Sequence, residues 1–247
     1  MKLPMTCLTC AITNQIGDQP WLNLVGVRED SRYQTVCPRG HTEVVVLQNP
    51  KFDILYEIGA NAILDGYYRD AIASFHASLE RLYEFFARAV LRKKGVPDQM
   101  TETAWKQVHR QSERQLGGFI FLYTMDFLQP PPLLASKRVE FRNEVIHQGR
   151  IPSRDEAIDF GQAILDIERQ LLIELRQRYS DALSHLTVKK LINARTDEDR
   201  GRSVGTMGMA TIIGTSVQQS SWHEKPLVQA LAELAIRRDL LAQGKPA

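Results

Sequence analysis

Cysteine is scarce in this chain. There are three in 247 residues, an odd number that cannot form a closed disulfide framework, and such usage fits a reducing, cytoplasmic compartment. Long apolar runs are missing too: none approaches the roughly 18 residues needed to span a bilayer, so no membrane association is expected. The start, Met1-Lys2-Leu3-Pro4, lacks the apolar stretch of a secretory signal. Nor is there an excess of one charge. Thirty-one Lys and Arg stand against 29 Asp and Glu, a net charge of +2, so any surface for nucleic acid must be local. Internal repeats are absent. Charged residues nevertheless make up 24% of the chain, close to the average of folded domains, and this excludes wholesale disorder.

The cysteines that are present sit close together, as Cys7-x2-Cys10 and then Cys37-Pro38-Arg39-Gly40-His41. A tetrahedral zinc site takes four soft or borderline ligands, delivered as two tight pairs. Cys-x2-Cys closes one turn, and Gly40 can adopt a positive φ to close the second just before His41. β-Prone stretches lie between and after the pairs, at 21–27, 32–36 and 43–47. The pattern predicts a small β ribbon over 1–48, stapled by zinc at Cys7, Cys10, Cys37 and His41 and too small to hold itself together without the metal. Four protein ligands leave no position for water, so the metal is expected to be structural. The plainer alternative is three reduced structural cysteines and a surface histidine.

Past residue 48 the periodicity becomes helical. Asn49-Pro50 reads as a cap followed by proline at the first helical position, with apolar residues at Phe52, Ile54, Leu55, Ile58, Ala62 and Ile63. Gly66 to Tyr68 interrupts the pattern, and Asp70 is a candidate cap for a second helix that stops at Lys93-Lys94-Gly95. A third helix is expected over 101–127, with Gly117-Gly118 marking a bend or a close helix contact. A fourth is expected over 133–148. Ser153-Arg154-Asp155-Glu156 is a capping box that opens a fifth, long helix to about Leu186. Short links and these lengths predict an antiparallel bundle over 49–186. In the extension 187–247, residues 187–222 read as irregular, and Leu227, Leu231, Leu234 and Leu241 predict a last amphipathic helix, free to dock back or to pair with another subunit.

The chemistry is concentrated late in the fourth helix, in Phe141-Arg142-Asn143-Glu144-Val145-Ile146-His147-Gln148-Gly149. Asn143 and His147 are four apart and share a face, with Glu140 on the same face. Arg142 points about 140° away from His147 on an ideal helix. One straight helix therefore does not aim both at a single atom. Unwinding near Gly149, a swing of the long Arg142 stem or a second subunit would be needed. From Leu133 to Arg154 there are five Arg or Lys and two Glu, a local positive excess. An arginine, a histidine and an amide in such surroundings are what phosphodiester cleavage needs: His147 to take a proton from a 2′-hydroxyl, Arg142 to stabilise the crowded phosphorane. By spacing alone such a pair is usually a solvated helix surface with an ordinary polar contact.

The segment Arg142-Asn143-x3-His147, late in a helical bundle and preceded by the aromatic-rich helix Ser74-Phe75-His76-Ala77-Ser78-Leu79-Glu80-Arg81-Leu82-Tyr83-Glu84, resembles the HEPN superfamily. The likeness covers about residues 50–186. Many members of that family are metal-independent ribonucleases of toxin–antitoxin, abortive-infection and CRISPR-associated systems, acting as dimers whose two motifs meet in one cleft. The resemblance implies that Arg142 and His147 form the catalytic pair and that Asn143 orients them. It also implies RNA as the partner, a homodimer, and an antitoxin or defence-system partner, with no metal at the reacting phosphate. Two features depart from the family. The position two after the histidine, where some members carry a regulatory tyrosine, is Gly149. A zinc ribbon is also not a general part of the fold. Two functions stay open: a HEPN endoribonuclease leaving a 2′,3′-cyclic phosphate, and a non-catalytic HEPN module binding RNA, a nucleotide or a partner protein.

Overall fold

The computed structural model describes residues 1–13, 22–199, 203–214 and 225–243. Trp21, the first residue of one expected β stretch, lies outside them. The chain is mainly helical, at 65% helix, and no helix is long and apolar enough to cross a membrane.

The ribbon is built from β1 (Lys2–Thr6), the short α1 (Leu8–Ile12), β2 (Leu22–Gly26), β3 (Arg32–Val36) and β4 (Thr42–Leu47). β1 pairs antiparallel with β2, and β3 with β4. Leu3, Met5, Tyr33, Val45 and Leu47 gather in a small apolar cluster. This cluster is completed by Ile54 and Ile58 from the helical layer, as expected of a ribbon with too little core of its own.

The helices are α2 (Lys51–Leu64), α3 (Tyr68–Lys93), α4 (Asp98–Val108), α5 (Ser112–Phe127), α6 (Ser136–His147) and α7 (Arg154–Asn193). Phe75 of α3 marks the tightest point of the core. A Cβ added at Gly59 or at Gly161 would lie 2.7 Å from its ring, so α2 and α7 approach it only because both positions are glycine. The Ser153 capping box forms as expected, with the Ser153 hydroxyl accepting from Glu156 N–H and the Glu156 carboxylate accepting from Ser153 N–H. α7 is longer than the periodicity indicated and kinks at Tyr179 (φ −129°, ψ 23°).

Several local expectations change. The single helix over 101–127 is two, broken at His109–Gln111 and not at Gly117-Gly118, which have nothing within 4 Å of an added Cβ. Buried Gln115 explains the break: it donates to the His109 carbonyl at 2.7 Å and accepts from Arg81 at 2.7 Å. α2 starts after Pro50, whose position is the cap, and Asn49 is used elsewhere. Asp70 lies inside the first turn of α3, which begins at Tyr68.

The segment read as irregular carries β5 (Ser203–Met207), which pairs parallel with β4 from Glu43↔Ser203 to Leu47↔Met207. Beyond it α8 (Leu227–Ala242) docks back, burying Leu227, Leu231 and Leu234 in the main core. Polar clamps hold this return. Asn49 Oδ1 accepts from Met209 N–H at 2.7 Å, and Glu57 accepts from Ile212 N–H at 3.1 Å and pairs with Arg237 at 2.5 Å.

Candidate functional site

Two sites emerge. In the ribbon, Cys7 has an extended backbone as the cap of α1 (φ −78°, ψ 114°), and its sulfur accepts from Cys10 N–H at 3.3 Å. The second pair sits on the β3–β4 hairpin, where Gly40 at φ +83° lets Gly40 N–H reach the Cys37 carbonyl at 2.8 Å. The two turns face each other. The sulfurs of Cys7, Cys10 and Cys37 and Nδ1 of His41 all lie within 4.8 Å of one another.

Individual edges are 3.3–3.7 Å from each sulfur to His41 Nδ1 and 3.9 Å from Cys10 to Cys37. A tetrahedron with metal–sulfur bonds of about 2.3 Å has edges of about 3.8 Å. The donor set and its spacing therefore fit a metal ion such as zinc, and all four expected ligands converge.

Sequence reasoning missed Glu43. Its carboxylate, only 2% exposed, accepts from Leu8 N–H at 2.9 Å and Thr9 N–H at 2.7 Å. It thereby anchors the first turn of α1, and with it the Cys-x2-Cys turn, to β4. Cys7 Sγ lies 2.9 Å from the same carboxylate. Burial, and then Glu43, push the Cys7 thiol up to about 12. Burial opposes ionisation of Cys37 as well, but backbone N–H groups of His41 and Arg39, together with the Cys7 and Cys10 side chains, outweigh it and bring that thiol down to about 7. A lone acid in a Val-rich strand, two residues past a ligand, was the available signal.

The second site surrounds Arg142. α6 is fixed against α7 by the fork of Arg138 on Asp159 (2.5 and 3.1 Å) and by the Phe141–Phe160 ring contact. Arg142, a fifth exposed, turns inward from this helix. Its Nη1 donates to Asn143 Oδ1 at 2.8 Å, and its Nη2 lies 3.0 Å from His76 Nδ1 and 3.7 Å from Glu80 Oε1, both on α3.

Burial, and then the Arg142 charge, bring His76 down to about 4. The ring is neutral at pH 7, so its Nδ1 lone pair accepts from Arg142 and the proton resides on Nε2. Glu80 Oε1 is 3.5 Å from the same nitrogen; the shorter, charge-assisted bond from Arg142 decides the tautomer. Glu80 is itself held above the usual carboxylate range by burial, which the Arg142 and Arg81 charges only partly offset. His76, Glu80 and Arg142 line a cavity of about 210 Å³.

His147 is elsewhere. It is the last residue of α6, exposed, with Gly149 at φ +75° just beyond. Among the described residues no hydrogen bond joins it to Arg142 or Asn143. The structure thus brings Arg142 and Asn143 together, adds His76 and Glu80, and leaves His147 on the outer turn. The surrounding positive excess is also partly spent. Arg138 pairs with Asp159, and Arg150 pairs with Glu144 and Glu156 while lying 4.7 Å over the Phe141 ring. His76 and Glu80 were legible only as an i, i+4 pair on one helix face.

No protein-family model matches the chain, and neither a curated protein nor a solved structure does.

Proposed function

We propose that this protein is a cytoplasmic, metal-independent endoribonuclease of HEPN type, a toxin or antiviral defence effector that acts as a homodimer, with a structural zinc in its ribbon. The observation that carries this reading is the placement of Arg142 and His147 on one helix. Arg142 is pre-set by Asn143 and His76, and His147 stands exposed about 1.4 turns further on. The ring of His147 takes the proton from a ribose 2′-hydroxyl as that oxygen attacks the adjacent phosphorus. The Arg142 fork stabilises the equatorial oxygens, and a 2′,3′-cyclic phosphate and a free 5′-hydroxyl result.

A second subunit supports the geometry, since one chain does not aim both side chains at one phosphate. The outer face of α5, the helix before the motif, carries exposed Phe121 and Met125 four residues apart, with exposed Leu128 just past its end, an apolar patch of the kind that a partner covers. Zinc is assigned to Cys7, Cys10, Cys37 and His41, where four protein ligands hold the ribbon and leave no position for water.

The second reading is a non-catalytic module that grips RNA, a nucleotide or a partner. The engagement of Arg142 by His76 and Glu80 within its own subunit favours it. The test is purified zinc-loaded protein with end-labelled RNA, without added divalent cations, beside His147→Ala. Cleavage to cyclic-phosphate ends by the parent chain alone supports the ribonuclease. Equal cleavage by both, or by neither, transfers the case to the binding module.

A further inference from the structure

We propose that the cavity beside Arg142 is a nucleobase pocket that takes a guanine, with Glu80 reading the base edge and Arg142 holding the phosphate. Its place in an RNA substrate rests on the ribonuclease reading; the binding itself does not.

Size comes first. The cavity holds about 210 Å³, below the roughly 300–1,000 Å³ that encloses a drug-sized ligand. One fused ring system fits, while sugar and phosphate stay outside. Shape and polarity agree. Leu79, Leu116 and Leu134 line it with apolar surface that suits the face of a planar ring. The lining also holds both kinds of polar partner: the Glu80 carboxylate as acceptor, and Arg142 with the neutral His76 ring as donors.

Guanine is the base whose N1–H and N2–H₂ present two adjacent donors to one carboxylate, a bidentate pairing, while its O6 accepts from a ring N–H. Cytosine and adenine offer one exocyclic amine beside an acceptor nitrogen, which a carboxylate repels. Charge also divides as a nucleotide does. The Glu80 carboxylate meets the base edge, and the Arg142 guanidinium, with N–H groups beyond those given to Asn143 and His76, meets the anionic end.

Titration calorimetry of the full chain with the four nucleoside 3′-monophosphates and with ribose 5-phosphate tests this directly. Guanosine monophosphate is expected to bind roughly tenfold or more tightly than the other three, the discrimination of one good bidentate contact, and ribose phosphate not measurably. Leu116→Trp, which fills the cavity, should abolish binding. Glu80→Gln, a near-isosteric change that spares the fold, should erase the preference for guanosine.

Ribose phosphate binding as well as guanosine monophosphate, or unchanged affinities in both variants, would overturn the pocket. The two readings fail separately. Guanosine binding without RNA cleavage keeps the pocket and ends the ribonuclease. Cleavage without nucleotide binding or base preference does the reverse.

Discussion

Asn49 holds the main chain of Met209 at both ends. Its Oδ1 accepts from Met209 N–H at 2.7 Å, and its Nδ2 donates to the Met209 carbonyl at 2.9 Å. The same Nδ2 donates to Asp53 at 2.8 Å, and the Asn49 carbonyl accepts from Lys190 Nζ at 2.6 Å. The start of α2, the far end of α7 and the exit from β5 therefore meet at one buried amide. Asn49→Ala removes both of these bonds to Met209. It should cost about 1–3 kcal/mol, with faster hydrogen exchange at 207–209. Unchanged exchange there would show that the clamp holds nothing.

The metal centre supplies the second test. One zinc per chain is expected in freshly purified protein that has never met a chelator. Cys37→Ser should loosen the ribbon while the helical core stays folded. Because β5 pairs with β4, and Met207 and Met209 pack on the small cluster, the loosening should reach 203–209 as well. Elemental analysis without stoichiometric metal would remove zinc from the account.

What could be read in advance divides along physical lines. The four metal ligands were legible because spacing alone delivers them. The helices were legible from their period, and the capping box at Ser153 from a local pattern that tertiary structure had no reason to override. Asn49 was misread because cap chemistry and clamp chemistry use the same amide, and only the returning chain decides between them. The break at His109–Gln111 carries neither Gly nor Pro; it is imposed by Gln115 reaching Arg81 and His109, contacts invisible in a linear pattern. The positive excess around the motif counted a window of 22 residues, whereas Asp159 and Glu156, which neutralise part of it, lie outside that window.

Glu168 gives a pH-dependent prediction. It is fully buried against Ser78, whose single hydroxyl hydrogen faces two acceptors, the Phe52 carbonyl at 2.6 Å and Glu168 at 2.7 Å. A protonated Glu168 that donates to Ser78 resolves the conflict. Burial, and then the neighbouring Asp53 charge, hold the group well above the carboxylate range. With the folded value raised, its contribution is fully present below the unfolded pKa of about 4.3 and is lost as pH rises toward the folded one. Glu168→Gln keeps the shape and removes the titration. The gain in melting temperature over the parent should therefore grow from pH 5 to pH 8. A constant offset across that range would mean that Glu168 does not stay protonated.

The roles within the motif separate by what each side chain touches. His147→Ala removes the proton acceptor and should cost about 10²–10⁴ in cleavage rate, with RNA binding retained because the phosphate grip lies elsewhere. Arg142→Lys keeps the charge but loses the planar fork that reaches Asn143 and His76 together, so it should stay badly impaired. Asn143→Ala should be milder. The structure gives Asn143 one visible task, accepting from Arg142 Nη1, and His76 still holds the other arm of the fork. That bond also fixes which parameters move: because Arg142 both grips the phosphate and stabilises the phosphorane, loosening it should raise KM for RNA and lower kcat together, while loss of His147 should lower kcat alone. An Asn143→Ala enzyme with normal KM and a collapsed kcat would place the amide at the reacting centre itself, beside the histidine.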